Sequence, residues 1–389
     1  MGIHRDALMV AGSLAQRPLH GGHAWVLLNL LRGLERLGWE VAFVDRLEPS
    51  MWVNPSGTAT TETPAFNVAY FDRVMRGFEV PRYCLLDGNN GFLAGMDREE
   101  LLRFAKRSAA LINVMGFLGE QEVLERVGRR VFFDIDPGFW QMWRENGHGI
   151  RFEDHDMFVT IGENIGESGC PIPTCGLSWI TTPQPVVLEE WEPAPNCGDS
   201  FTSVISWRGP FGPIEHSGRT YGLRVHEFRK FLELPRRTNE RFELALDIDP
   251  ADERDRAALE SNGWALADPV KMAGDPWSYR DYIRRSKAEF MVAKNIYVDT
   301  RSGWFSDRSI CYLASGKAVL AQDTGLGDRY PIGDGLLLYS TLDEAAAGVE
   351  KIAGDHERHS RAARAIAEEF FDSDKVLKRL LDRLEIEAP

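Results

Sequence analysis

Trp304 to Gly325 reads WFSDRSICYLASGKAVLAQDTG, and this stretch decides the fold. Ser306-Asp307-Arg308 is a polar, helix-opening triplet, with Ile310, Leu313 and Ala314 as the apolar run behind it. Ser315-Gly316-Lys317 breaks the helix, Ala318 to Ala321 reads as a short buried strand, and Gln322-Asp323-Thr324-Gly325 follows as a polar loop. Helix, glycine stop, strand and loop in this order bring side chains and backbone amides to the carboxyl end of a parallel sheet. Ligands bind in that crevice in doubly wound folds.

Working outward, apolar runs alternate with amphipathic segments along the whole chain, which predicts an α/β architecture. The first half offers strands at 7–11, 40–45, 82–87, 110–115, 131–134 and 157–161. Its clearest helix spans Ala24 to Leu37, where Leu27, Leu30, Leu31, Leu34 and Leu37 share a face and Gly38 supplies the stop. The stretch from Pro171 to Gly198 carries six prolines with Trp179 and Trp191, and reads as an extended crossover. A second set of strands follows at 201–207, 242–247, 263–266, 288–293, 318–321 and 336–339, and helices at 342–352, 357–370 and 374–384 close the chain. At 389 residues two domains are the default. The predicted division is 1–183 and 184–370, two Rossmann-like domains facing a cleft.

Composition narrows the function. With 43% hydrophobic and 27% charged residues the chain is a globular type, and its formal net charge of −14 argues against general binding to nucleic acid or anionic membranes. The cysteines at 84, 170, 175, 197 and 311 lack metal spacing, so reduced structural thiols are expected. Ala7 to Val10 is too short an apolar run for a secretory signal, and nothing approaches the roughly 18 apolar residues of a membrane span. A cytoplasmic location without an integral membrane segment is the expectation.

Four constellations carry possible chemistry. Pro18 to Ala24 (PLHGGHA) joins the first strand to the first helix. Gly21 and Gly22 let amides approach an anion at the helix start, and His23, titrating near neutrality, is a candidate base or else a packing residue. In Ser206 to Gly222, Arg208 and Arg219 are candidate diphosphate ligands, with Arg224 as a spare cation, because a guanidinium forks onto two oxygens and stays charged. Asp134 and Asp136 stand two apart at a strand end and are expected to point the same way. The pair could hold Mg²⁺; otherwise Asp136 is an alternative base or acceptor contact, or else a cap before Pro137. Asp87-Gly88-Asn89-Asn90 and Gly162-Glu163-Asn164 have the polarity of a sugar-binding rim, and Trp140, Trp143, Trp179, Trp207, Trp277 and Trp304 suit ring stacking or, more simply, packing.

The Trp304–Gly325 stretch resembles the nucleotide-sugar motif of two-domain GT-B glycosyltransferases, whose usual form is roughly E-A-M-A-S-G-x-P-V. Gly21-Gly22-His23, the leucine-rich helix and Gly38-Trp39-Glu40-Val41 resemble the glycine loop of the same enzymes, including the membrane-linked N-acetylglucosaminyl transferase of peptidoglycan synthesis. The resemblance implies a nucleoside-diphosphate sugar donor, a small-molecule or glycan acceptor, no separate cofactor and no metal. It implies that residues 371–389 cross back onto the first domain. It also places Gly303, Ser306, Asp307, Arg308 and Asp323 around the donor. The family's ribose glutamate falls on Cys311 and its acidic partner near Gly303, which leaves Asp307 or Asp323 to supply a carboxylate; the donor expected is a dTDP- or UDP-sugar, and a deoxyribose donor such as a dTDP-sugar would suit the missing glutamate. Two other readings share these features: a nucleotide-sugar 2-epimerase on the same fold, and a non-catalytic sugar-binding or partner protein.

Overall fold

A computed structural model describes residues 6–88, 91–194 and 198–387. Asn89, Asn90 and Cys197 lie outside the described residues. The chain builds two sheets in sequence order. The first is made of β1 (Ala7–Gly12), β2 (Glu40–Leu47), β3 (Tyr83–Asp87), β4 (Phe92–Gly95), β5 (Ser108–Val114), β6 (Arg129–Asp134), β7 (Met157–Thr160) and β8 (Trp179–Thr181). Their order across the sheet is β4-β3-β2-β1-β5-β6-β7-β8, parallel except for β4. The second contains β9 (Ser200–Ser206), β12 (Arg241–Asp247), β13 (Trp264–Ala267), β14 (Ala288–Met291), β15 (Ala318–Gln322) and β16 (Leu336–Tyr339), in the order β13-β12-β9-β14-β15-β16. Between β9 and β12 in sequence, β10 (Ile214–His216) and β11 (Arg219–Tyr221) form a separate hairpin.

The sequence explains these choices. β1 is buried along its length in the middle of the first sheet and β5 nearly so, and β1 and the 109–112 run of β5 are continuous apolar stretches rather than alternating ones. The first helix, Gly21–Arg36, lays Leu27, Leu30, Leu31 and Leu34 into the core, and Gly38 ends it at φ +90°, where a side chain would be strained.

The strands the sequence reading lacked sit at the margins. β4 is four half-exposed residues on an antiparallel edge, β8 is three residues inside the proline-rich stretch, and the hairpin strands are three residues each. None is long enough to show a period.

The last helix, Ser373–Arg383, leaves the second sheet and packs on the first helix. Arg36 grips Asp374 with two bonds of 2.9 and 3.0 Å, and Leu377, Leu380 and Leu381 are buried. Beyond it, Arg129 of β6 donates to the Leu384 carbonyl at 2.8 Å. The return path is paired to the outward crossover: Val186 donates to the Phe371 carbonyl at 2.8 Å, and Ser373 to that of Val186 at 2.9 Å.

One apolar core runs from the first helix through the helix Pro276–Arg285 to the motif helix Asp307–Ala314, so it joins both sheets. The opposite faces of the two sheets carry their own cores. This arrangement sets the carboxyl ends of the central strands of each sheet against one another.

Candidate functional site

The loop after β1 is shaped by a buried carboxylate. Asp45 accepts from the amides of Ala15 and Arg46, both at 2.6 Å, and burial pushes its carboxyl up to about 7. This holds Ser13 and Arg17 at the cleft. His23, in the first turn of the helix, meets the Ser13 hydroxyl at 3.0 Å. Burial and the charges of Arg17 and His20 push its pKa well below the usual histidine range. These surroundings favour the neutral imidazole of His23.

Asp134 and Asp136 do not act together. Asp134 ends β6 and is fully buried, accepting from Gln141 at 2.8 Å, Thr160 at 2.9 Å and the Asp136 amide at 3.0 Å. Burial raises it to about 6. Asp136 lies past the strand end and points across the cleft. Its Oδ1 is 2.6 Å from Lys294 Nζ and also receives the Tyr297 hydroxyl.

The facing side comes from the second sheet. Lys294 follows β14 and is 8% exposed. Its ammonium lies 4.8 Å from the Phe139 ring, 5.5 Å from Phe211 and 5.4 Å from Tyr297. Burial lowers its pKa and Asp136 opposes the shift. Tyr297 is fixed by stacking on Trp304 at 4.3 Å. Arg224 reaches the ends of the two central strands, donating to the Val292 carbonyl at 3.1 Å and the Ser206 carbonyl at 3.0 Å. Burial, with Arg308 nearby, brings its pKa down to about 10, while Tyr297, Asp136 and Asp307 pull the other way. Arg17, Arg224 and Lys294 thus converge on Asp136 from both halves of the molecule.

The motif helix opens at the same place, with Ser306 as its buried first cap residue. Burial pushes Asp307 up to about 6, against the pull of Arg308 and its own first-turn amides. An unfolded aspartate releases its proton near pH 4, so the folded form keeps a proton over roughly pH 4–6 that the unfolded form loses. That advantage is complete below about pH 4 and is gone once pH has risen through about 6. Asp307→Asn should therefore be more stable than the parent at pH 8, by up to about 3 kcal/mol, and equal to it at pH 4. Urea unfolding at the two pH values checks this; an equal effect at both would place the carboxylate in solvent.

Several expected donor contacts are engaged elsewhere. Arg208 forks onto Asp252 at 2.8 and 2.5 Å, and its neighbouring charges are Asp252, Asp255 and Asp249. Arg219 sits on the exposed hairpin, 3.8 Å from Asp299 and over the Tyr221 ring. Arg308 runs beneath its own helix to the fully buried Glu289 at 2.5 Å and the Val204 carbonyl at 2.9 Å.

Gly21 and Gly22 face protein. A Cβ at Gly21 would stand 2.2 Å from the Asp275 carbonyl, and one at Gly22 would stand 2.9 Å from the Tyr279 ring. Gly303, at φ +70°, packs on Asn164. Asp323 caps its own turn through the amides of Gly325 at 2.8 Å and Leu326 at 3.3 Å. Cys311 is buried within the motif helix.

The polar rim at Gly162-Glu163-Asn164 is an interdomain clasp. Asn164 donates to the Arg301 and Gly325 carbonyls at 2.8 Å each and accepts from Arg329 at 2.9 Å, and Glu163 receives the Tyr330 hydroxyl. Trp207, Trp304 and Trp140 pack in aromatic clusters. The hairpin is tied to the first half of the chain, since Asn146 donates to the Glu215 carbonyl at 2.7 Å.

Lys294 and Tyr297 went unrecognised in the sequence. The available signal was a lysine directly after the buried run 288–293, at the carboxyl end of a predicted parallel strand. Among the described residues no group of three or more His, Cys, Asp or Glu is placed to hold a metal ion, and no helix is long and apolar enough to cross a membrane.

No protein-family model matches the sequence, and neither does any curated protein. Solved structures do match over nearly the whole chain. Anabaena Alr3699/HepE in complex with UDP-glucose superposes with a TM-score of 0.60 at 10% identity, covering 97% of this chain and 99% of that one. Sucrose-phosphate synthase from Thermosynechococcus elongatus gives 0.54 at 12%, covering 98% and 99%. A glycosyltransferase from Rickettsia africae ESF-5 gives 0.53 at 9%, covering 98% of each. The fold is the GT-B glycosyltransferase fold, with two Rossmann-like domains.

Proposed function

We propose that this GT-B chain is a glycosyltransferase that moves a sugar from a nucleoside diphosphate to a hydroxyl of a small-molecule or glycan acceptor. The observation that carries the reading is the convergence of Arg224, Lys294 and the amino end of the motif helix at the carboxyl ends of β9 and β14, opposite Asp136. In the reaction the bond from the anomeric carbon to the diphosphate oxygen breaks and a bond to the acceptor oxygen forms. The acceptor proton passes to a base. Arg224, Lys294 and the helix amides offset the charge that develops on the departing diphosphate, where a desolvated site makes them most effective.

Asp136 is the better-placed base, because it lies across the cleft from the cations of the second sheet, while burial and the nearby Arg17 charge oppose protonation of His23. A metal has no role in this scheme, and no separate cofactor is used. The donor leans to a dTDP-sugar, since the position of the ribose carboxylate is taken by the buried Cys311, with UDP as the next candidate. HepE was crystallised with UDP-glucose.

A thermal-shift panel of UDP, dTDP, GDP and ADP tests the reading. At a hundredfold excess over Kd a bound nucleotide should add about 2.7 kcal/mol to the unfolding free energy. The shift should be the same in EDTA. No shift with any of the four removes the donor site, and a shift abolished by chelator and restored by Mg²⁺ or Mn²⁺ removes the metal-free scheme.

A further inference from the structure

We infer that the Asp136 carboxylate is a resident counter-anion of the diphosphate site, held by Lys294 and Tyr297 until a nucleoside diphosphate displaces it. The inference deepens the glycosyltransferase reading and rests on it. One carboxylate oxygen of Asp136 takes both the Lys294 ammonium, at 2.6 Å, and the Tyr297 hydroxyl. The ammonium is nearly sealed from water among the rings of Phe139, Phe211 and Tyr297. Rings attract a cation but do not neutralise it, and a buried charge needs a paired anion. Asp136 supplies that anion from the other half of the molecule. Arg17 and Arg224 feel the same carboxylate.

The neighbouring groups include three cations, Arg17, Arg224 and Lys294, and three acids, Asp134, Asp136 and Asp307. A diphosphate adds at least two further negative charges beside these cations. Asp136 and the diphosphate then compete for Lys294, and the ligand with more charge and more oxygens prevails. Asp136 swings free with its lone pairs unoccupied, able to accept the acceptor's proton. Donor binding therefore unmasks the base, and the acceptor is served second. The same exchange gives up one of the ion pairs that tie the two domains together.

Isothermal titration of the full chain with UDP, dTDP and inorganic pyrophosphate, at one fixed salt concentration, decides this. Asp136→Asn removes the competitor and should bind pyrophosphate and the accepted nucleotide about tenfold more tightly than the parent. Tyr297→Phe, which loses one hold on the carboxylate, should move affinity the same way by less, and it serves alone if Asp136→Asn does not fold. Unchanged or weaker binding in these variants makes Asp136 a plain interdomain tie and overturns the inference. So does a failure of every protein to bind pyrophosphate. Tighter pyrophosphate binding with no response to any nucleotide would keep the counter-anion and discard the nucleotide-sugar reading. Nucleotide binding indifferent to both substitutions would do the reverse.

Discussion

Replacing Arg224 by Met should weaken nucleoside diphosphate binding about 100-fold while leaving the affinity for the bare nucleoside within about twofold. A hydrogen bond to a charged group contributes roughly 1.5–3 kcal/mol, and a guanidinium facing a diphosphate in a buried setting belongs at the upper end. Arg224 also ties the Ser206 and Val292 carbonyls together, so the variant must first be shown to keep its unfolding midpoint within a few degrees. The split between diphosphate and nucleoside is the measurement that matters. Equal losses on both would make Arg224 a strand tie alone. The matching substitution at Arg208 should change neither affinity, because that guanidinium is already forked onto Asp252 at the outer edge.

The other large effect is in turnover. Asp136→Asn should lower it by about 10²- to 10⁴-fold, the usual contribution of a general base. His23→Gln should lower it less than tenfold. The contrast follows from placement: Asp136 reaches across the cleft to Lys294 and Tyr297, whereas His23 is turned onto the Ser13 hydroxyl. Single-turnover rates with saturating donor separate this from any change in affinity. A slow His23→Gln beside a normal Asp136→Asn would exchange the two roles.

The fold was legible because its decisive strands are central and buried. β1 is apolar along its whole length, β5 and β15 carry the apolar runs 109–112 and 318–321, and a glycine or a polar loop ends the elements beside them. The returning last helix was expected from the family resemblance, and the Arg36–Asp374 pair carries it in the structure.

The site was less legible, for a physical reason. A sequence shows which residues stand at strand ends but not which partners they have already taken. Arg208, Arg308 and Asp323 are the right residue types in the right loops, yet Asp252, Glu289 and a local turn hold them. Gly21, Gly22 and Asn164 looked like ligand-facing positions and meet the opposing domain instead. Lys294 gains its meaning only when Asp136, 158 residues away in sequence, is set against it.

The paired chain crossings at Val186 and Phe371–Ser373 bear on how the molecule can be divided. The first folding unit is discontinuous: its strands come from the start of the chain, and the helix sealing its leucine-rich face is made last. Cutting the gene at the proline-rich crossover therefore yields no independent half. The leading fragment would present the face around Leu34 without Leu377 and Leu381 to cover it, and the trailing fragment would carry an orphan amphipathic helix. During synthesis the leading unit must wait, with that face open, until residues 373–383 emerge. A chaperone or protease that reads exposed leucines has that interval in which to act.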